Sequence, residues 1–471
     1  MTGRALARIQ SAPMEPCQPW PRYVLTWEDW AELAGLLADD ALILLAVWAD
    51  TGHVHALLDD PVSGTIVPIS VGVQGGSYPA LSAYWPVAIW FERMIHDLWG
   101  HAALGGAELV PWLDHGHWPV TQPMASRPGP PIRAPEPPVF QEIPGDGLIQ
   151  WPIGPVGPGV GEAAHLRLTL QGETIVHAQA RFGYTHKGTL AMMRGKPIRT
   201  AARFAARLAG DSTVAHSTAF AMAAEAALGV TVPPRAAALR ELMGGLERIA
   251  THLDILGSVA ELLGAAAVHG LCGLRQEHLR RAMAAGFGHR LLMDCVVPGG
   301  VAGDLEAAAV VTVRSALEAL RAVLPGLRAM HIGNALAARL NGLGSVDAAR
   351  RTDPSINTAT CGDAATRAMA RLDAITADIT ALMPLLDALP EGALAVSLPS
   401  VSGEGLARSV SARGDVWHWL RLDHGQVAAV FPRDPGWALW PAVEMALCGA
   451  AADDAAVICC SLGLAASVVD L

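Results

Sequence analysis

Charge is scarce in this sequence: Asp, Glu, Lys and Arg make up 16% of 471 residues, whereas apolar side chains make up 52%. So little charge and so much apolar material exclude a disordered or collagen-like chain and imply a large buried interior. Basic runs are missing as well. Lys and Arg number 33 against 44 Asp and Glu, a net charge of −11, so an electrostatic grip on a phosphate backbone, and with it nucleic acid as a partner, is not expected. The seven cysteines are odd in number, scattered, and include no C-x-x-C pair, so neither a disulfide framework nor a zinc or iron-sulfur site is signalled. They read as reduced, buried and structural.

Long apolar runs are absent too. The longest, Ala455 to Val469, falls short of the roughly eighteen residues a bilayer span needs, so no transmembrane helix is expected. Met1 to Pro21 has no continuous apolar stretch of the kind a secretory signal carries. No G-x-G-x-x-G follows a strand, so dinucleotide oxidation is not expected of this chain.

What is present divides the chain by pattern. Up to about residue 120, short apolar runs such as Ala41 to Trp48 alternate with a helix candidate at Trp27 to Ala38, as in a small α/β domain. Tyr84 to Gly100 repeats bulky apolar residues at helical spacing, leaving Glu92, Arg93, His96 and Asp97 on the other faces. Nine prolines between Pro119 and Pro144 give residues 121–147 the composition of a semi-rigid linker. Beyond it, His165 to Leu170 and Thr174 to Ala180 flank Gln171-Gly172 as a β-hairpin with Leu166, Leu168 and Leu170 on one face. From Thr189 to Leu389 the period becomes helical, most clearly at Glu241 to Gly264. Ala393 to Leu398 and Val416 to Leu422 read as strands, and Trp440 to Ala450 as a helix. The fold class is α+β: an α/β domain over 1–120, the linker, and a mainly helical domain with a hairpin and a small β region over 148–471. The apolar tail, Ala455 to Leu471, must be covered by the core or by a partner, because its exposure would cost several kcal/mol at ~25 cal/mol per Å².

Several segments, in order, resemble one superfamily. Residues 91–100 (FERMIHDLWG) and Asp114-His115-Gly116-His117-Trp118-Pro119 are similar to the C-type part of the fused C/D subunit of NADH:quinone oxidoreductase, respiratory complex I. Residues 153–168 (IGPVGPGVGEAAHLRL), 182–190 (FGYTHKGTL), 206–229, 246–257 (LERIATHLDILG), 297–305 (VPGGVAGDL), 411–415 (SARGD) and the tail resemble its D-type part and the large subunit of membrane-bound, energy-converting nickel-iron hydrogenases.

The resemblance implies a C-subunit-like domain followed by a hydrogenase large-subunit-like domain, acting in an oxidoreductase complex. In the hydrogenase branch four thiolates hold nickel and iron, two in R-x-C-G-x-C and two in a C-terminal C-x-x-C. Here Ala209 and Ser212 stand at the first pair and Ala465 and Val468 at the second, while Cys459-Cys460 fall outside the motif. Soft thiolate is what selects such metals, so neither a nickel-iron centre nor any other cofactor is expected on this chain. An iron-sulfur cluster is expected in a partner.

The complex I branch clamps quinone with a His and a Tyr, but those positions fall on Glu162 or Ala163 and on Gly210. Glu162 matches the carboxylate that the hydrogenase branch uses to pass protons; a solvated loop carboxylate is the bland alternative. Asp211, between the two vacated positions, and His216, four residues past Ser212, are candidates for a proton relay, although a satisfied core histidine is the commoner outcome. Arg207 and Arg413 are candidate cavity cations, able to pair with Glu162 or Asp211. His186-Lys187-Gly188 match a turn whose role is structural or subunit-facing. The implied partners are an iron-sulfur small subunit, a ferredoxin-like subunit and antiporter-like membrane subunits, with quinone a further candidate. The implied location is peripheral, on the cytoplasmic side of the inner membrane. A non-catalytic structural subunit is the competing reading.

Overall fold

The structure, a computed structural model, describes residues 4–36, 42–107, 109–132, 140–332, 335–346 and 360–471. Helix α1 (Arg4–Gln10) leads into strands β1 (Met14–Glu15) and β2 (Arg22–Leu25). The helix expected from Trp27 is α2 (Trp27–Leu36), with residues 37 and 38 outside the described residues. Apolar runs then form β3 (Ile43–Ala49), β4 (His53–Asp60) and β5 (Thr65–Gly72), giving a sheet of order β1-β2-β5-β4-β3 in which only β2 and β5 pair in parallel. Strands β6 (Ser77–Pro79) and β7 (Ala102–Leu104) flank α3 (Ala88–Trp99). That helix begins at Ala88 rather than Tyr84, because Pro86 disfavours helical backbone before it, and it stops at Gly100, whose φ of 75° reverses the chain.

The polar residues of α3 are not a solvated face. Glu92 accepts the N–H groups of Leu81 (2.7 Å) and Ser82 (3.2 Å), and Asp97 those of Trp112 (2.7 Å), Leu113 (2.7 Å) and Asp114 (3.2 Å). Arg93 donates to the carbonyls of Val110 and Pro111. These bonds set Trp112 against Trp437 of the C-terminal region, ring centroids 5.8 Å apart.

The expected hairpin is present as β9 (His165–Gln171) and β10 (Thr174–Arg181), extended by an edge strand β8 (Leu148–Ile153). Leu166, Leu168 and Leu170 are all buried. Residues 133–139 of the proline-dense stretch lie outside the described residues.

Helices α4 (Thr189–Met193), α5 (Ile198–Ala205), α6 (Thr213–Leu228), α7 (Pro234–Leu262), α8 (Ala266–Phe287), α9 (Ala307–Ile332), α10 (Ala335–Leu340) and α11 (Ala364–Asp387) follow, with the short pair β11 (Val296–Val297) and β12 (Gly300–Val301) between α8 and α9. Helix α7 is longer than its apolar stripe suggested, because Pro234 at its start fits a helical first turn. Its Gly245 lets α11 approach closely: a Cβ there would lie 2.8 Å from Leu382. The segment expected as a strand at 393–398 is instead an extended stretch. It is held by hydrogen bonds from Val301 N to Leu394 O (2.9 Å) and from Val396 N to Gly299 O (3.0 Å).

The C-terminal region holds the antiparallel sheet β13 (Gly403–Val410), β14 (Asp415–Asp423) and β15 (Gln426–Arg433), then α12 (Gly436–Leu447) and α13 (Ala455–Leu462). Helix α6 is apolar all round and buried on nearly every side. It lies directly on β13, where a Cβ on Gly403 or Gly405 would meet the carbonyls of Ala227 (2.2 Å) or Ala223 (2.1 Å). Trp48 of β3 stacks on Phe431 of β15 (5.5 Å, 3°), so one apolar core runs through the N-terminal sheet, the hairpin, the C-terminal sheet and the tail. A second core lies within the helices. Every residue from Ser461 to Leu471 is buried, as its composition demanded. Of the cysteines, Cys17, Cys272, Cys295 and Cys459 are buried as expected, whereas Cys448 is exposed. Among the described residues no helix is long and apolar enough to cross a membrane.

Candidate functional site

Four chain segments meet at the start of α6. The turn Ala209–Ser212 connects α5 to α6, and Ser212 stands at the helix N-cap without capping it. The cap comes from α7 instead: Glu247 accepts the N–H groups of Val214 (2.6 Å) and Ala215 (3.0 Å). Burial raises the Glu247 carboxyl to a pKa of about 8, outweighing those two donors. The tail arrives beside this turn, and Leu208, Ala209 and Val468 pack into one small buried cluster. The fold therefore brings together a position from each of the two pairs that the resemblance aligns with thiolates.

The hairpin between β13 and β14 supplies Arg413, closed by a Ser411 N to Gly414 O bond of 2.8 Å. Although it sits at a hairpin tip, Arg413 is only 1% exposed. Its guanidinium is forked onto Asp211, with Nη2 3.1 Å from Oδ1 and Nη1 bonded to Oδ2. Nη2 also lies 3.0 Å from Ser212 Oγ and 3.6 Å from Asp434 Oδ2. Burial alone would lower the arginine pKa, but Asp211 and Asp434 outweigh it and hold the cation charged.

Asp434 lies between β15 and α12. Its Oδ1 accepts the Gly436 N–H (2.7 Å), and its Oδ2 lies 3.3 Å from His216 Nε2. Arg413 and His216 hold this carboxyl well below the usual range despite complete burial. His216 Nδ1 is in turn 3.0 Å from His418 Nε2 on β14, while His418 Nδ1 has no partner among the described residues. Burial keeps His418 neutral. A consistent assignment has His418 Nε2–H donating to His216 Nδ1 and His216 Nε2–H donating to Asp434. One connected path thus runs from Asp211 through Arg413 and Asp434 to His216 and His418.

The expected residues divide. Asp211, His216 and Arg413 come together as described. Glu162 lies in the loop before β9, where its Oε2 accepts the Ser467 N–H at 2.6 Å and so holds the tail; it is close enough to Arg413 and Lys187 to bias both electrostatically. Arg207 does not face the hollow. Its guanidinium turns to the surface and grips Asp294 through two bonds of 2.7 and 2.8 Å. Asp434 and His418 complete the path, and neither stands out in the sequence. A D-P-G turn reads as turn chemistry, and a histidine amid apolar strand residues reads as core.

The tail is fixed from several sides. Asp470 accepts the N–H groups of Gly183 (2.7 Å) and Thr185 (2.6 Å), His186 Nδ1 lies 2.6 Å from Asp470 O, and Lys187 Nζ donates to Leu208 O at 3.0 Å. The His-Lys-Gly turn therefore latches the tail to the turn before α6. Arg367 and Arg371 of α11 hold Ser461 at its Oγ (2.7 Å) and its carbonyl (2.9 Å). Among the described residues, no three His, Cys, Asp or Glu side chains converge as a metal-binding group.

Residues 187–254 match the nickel-dependent hydrogenase family. The chain is 26% identical to the alpha subunit of the membrane-bound hydrogenase of Pyrococcus furiosus, over 61% of this chain and 79% of that protein. It is 25% identical to hydrogenase-4 component G of Escherichia coli, over 86% of this chain and 78% of the relative. Over a shorter stretch, 32% of this chain and 37% of the relative, it is 35% identical to the D-type subunit of NADH-quinone oxidoreductase from Legionella pneumophila. In fold it resembles a chain of the membrane-bound sulfane sulfur reductase, an archaeal respiratory membrane complex, with a TM-score of 0.65 at 21% identity over 70% of this chain and all of that one.

Proposed function

From this kinship with hydrogenase large subunits and the D-type subunit of NADH-quinone oxidoreductase, we propose that the chain is a component of a membrane-associated, energy-converting oxidoreductase complex. In this reading it packs beside a partner's iron-sulfur cluster, on the cytoplasmic side of the membrane. A ferredoxin-like subunit and antiporter-like membrane subunits complete the assembly, and quinone is the candidate acceptor.

The chain carries no nickel-iron centre. Two alanines and a valine offer no donor atom, a neutral serine hydroxyl is a poor ligand for soft metals, and a buried guanidinium at the same place repels any cation. The observation that carries the proposal is Arg413, which bridges Asp211 and Asp434 where the first vacated pair adjoins the tail. A charged network replaces the metal, and what it contributes is a proton-exchange site at its partly exposed end, coupled by charge to a sealed interior: the Asp211 side chain is 37% exposed, whereas Asp434 and His216 are sealed. A proton exchanged at Asp211 stays at this outer end, because Arg413, which remains protonated, holds both carboxylates in place and passes on only the change of charge to Asp434 and His216.

The second reading, a non-catalytic subunit that completes the complex's shape, is favoured by one feature: Ala209, Val468 and Arg413 are packed with almost no exposure. Asp211→Asn separates the two. It keeps the shape and one of the two Arg413 bonds but cannot exchange the proton, so turnover of the assembled complex is expected to fall about tenfold or more. Unchanged turnover with normal assembly would leave only the structural role.

A further inference from the structure

Away from this network, a pocket of about 360 Å³ opens where Leu98, at the end of α3, meets Trp118 to Met124 and His186 to Ala191. That volume lies within the range of small-molecule sites. Its walls are apolar, from Leu98, Met124 and Leu190 among others, apart from two polar side chains, His186 and Lys187.

The geometry of His186 defines what the pocket would hold. Its ring lies against Trp118, centroids 4.5 Å apart and 23° between planes, which presents aromatic surface. Its Nδ1 lies 2.6 Å from a carbonyl oxygen, that of Asp470, so Nδ1 carries the hydrogen. Burial keeps the imidazole neutral, which leaves Nε2 as a lone-pair acceptor. Among the described residues no group donates to it. Lys187, with one of its three donors committed to Leu208 O, has two left. An acceptor and a cationic donor side by side in an apolar, ring-faced pocket match a hydroxyl on a flat aromatic ring, whose O–H donates to Nε2 while its oxygen accepts from the ammonium.

We propose that this pocket is a binding site for a one- or two-ring aromatic compound bearing a hydroxyl group, read by His186 Nε2 and Lys187 against Trp118. The site is independent of the Asp211–Arg413 network and stands or falls without it.

The test uses the purified full chain with 2-naphthol, and with 2-methoxynaphthalene as the analogue that cannot donate. Binding is followed by naphthalene fluorescence. The wild-type chain is expected to bind 2-naphthol about five- to tenfold more tightly than the methoxy analogue, as one hydrogen bond to an otherwise unpaired acceptor warrants. His186→Phe, which keeps a ring against Trp118, is expected to erase that preference while leaving the analogue's binding unchanged. Ala191→Trp, at an exposed position on the pocket wall, is expected to abolish binding of both compounds. Failure of 2-naphthol to bind the wild-type chain would overturn the proposal, as would equal binding of the two compounds or undiminished binding to the Ala191→Trp chain.

Discussion

Arg413 and Asp434 are charged groups placed where solvent cannot reach, and they persist because each has the other as well as further partners. Removing one member leaves the rest desolvated and unpaired. Arg413→Ala is expected to destabilise the chain by about 3–5 kcal/mol, and the Arg413→Ala/Asp434→Asn double variant by clearly less than the sum of the two single changes. Denaturant unfolding of the four proteins measures the coupling, and simple additivity would mean that the pair does not interact. The Arg413–Asp211 contact was among the pairings open from sequence, because both residues lie in motifs that the resemblance singled out. The inner half was not readable. His216 and Asp434 are 218 positions apart, and no local period connects a helix's first turn to the end of a strand. Arg207 shows the reverse: a motif position whose side chain faces away from the hollow, paired with the surface carboxylate of Asp294.

Helix α6 owes its position to two devices on its neighbours. The first is the cap lent by α7. Glu247 has a folded pKa of about 8 against about 4.3 in an unfolded chain, so its contribution to stability is complete at low pH and is lost as pH rises through about 8. Between those values stability should fall by up to about 1.4 kcal/mol per pH unit on its account. Glu247→Gln cannot ionise, and its stability profile over pH 5 to 8 is expected to be flatter than that of the wild-type chain. Parallel profiles from thermal unfolding would contradict this account of Glu247. The second device is the pair Gly403 and Gly405, which bring β13 within contact of the α6 backbone. Gly405→Ala would push a methyl into the Ala223 carbonyl and is expected to cost about 1–3 kcal/mol or more, read as a lowered unfolding temperature. Helical periodicity identified α7, and two-residue alternation on either side of Gln171-Gly172 identified the hairpin, because both are local signals. The helical period placed the starts of α3 and α12 only approximately, since prolines near each shift the boundary. The extended stretch at 393–398 has strand-like composition, but what it pairs with is the short β11–β12 turn rather than a sheet.

Across the molecule, the proline-dense stretch separates two sequence patterns, yet the apolar core does not stop there. Trp48 and His55 of the N-terminal sheet pack against Phe431 and Trp419 of the C-terminal sheet, and Phe91 of α3 stacks on Trp437 at 4.4 Å. Composition revealed two patterns but could not reveal that they share an interior, because such contacts join residues hundreds of positions apart. The tail's burial was readable, since seventeen mostly apolar residues have few other places to go, and its path follows from the latches of Glu162, His186, Lys187 and Asp470. These latches carry the tail to Ala209, so that Val468, which the resemblance aligns with the second thiolate pair, packs against Leu208 and Ala209. Quantifying nickel in the purified complex by mass spectrometry is the decisive measurement. A content far below one nickel per chain is the result expected of a hollow filled by Arg413, Asp211 and Asp434, and one nickel per chain would contradict it.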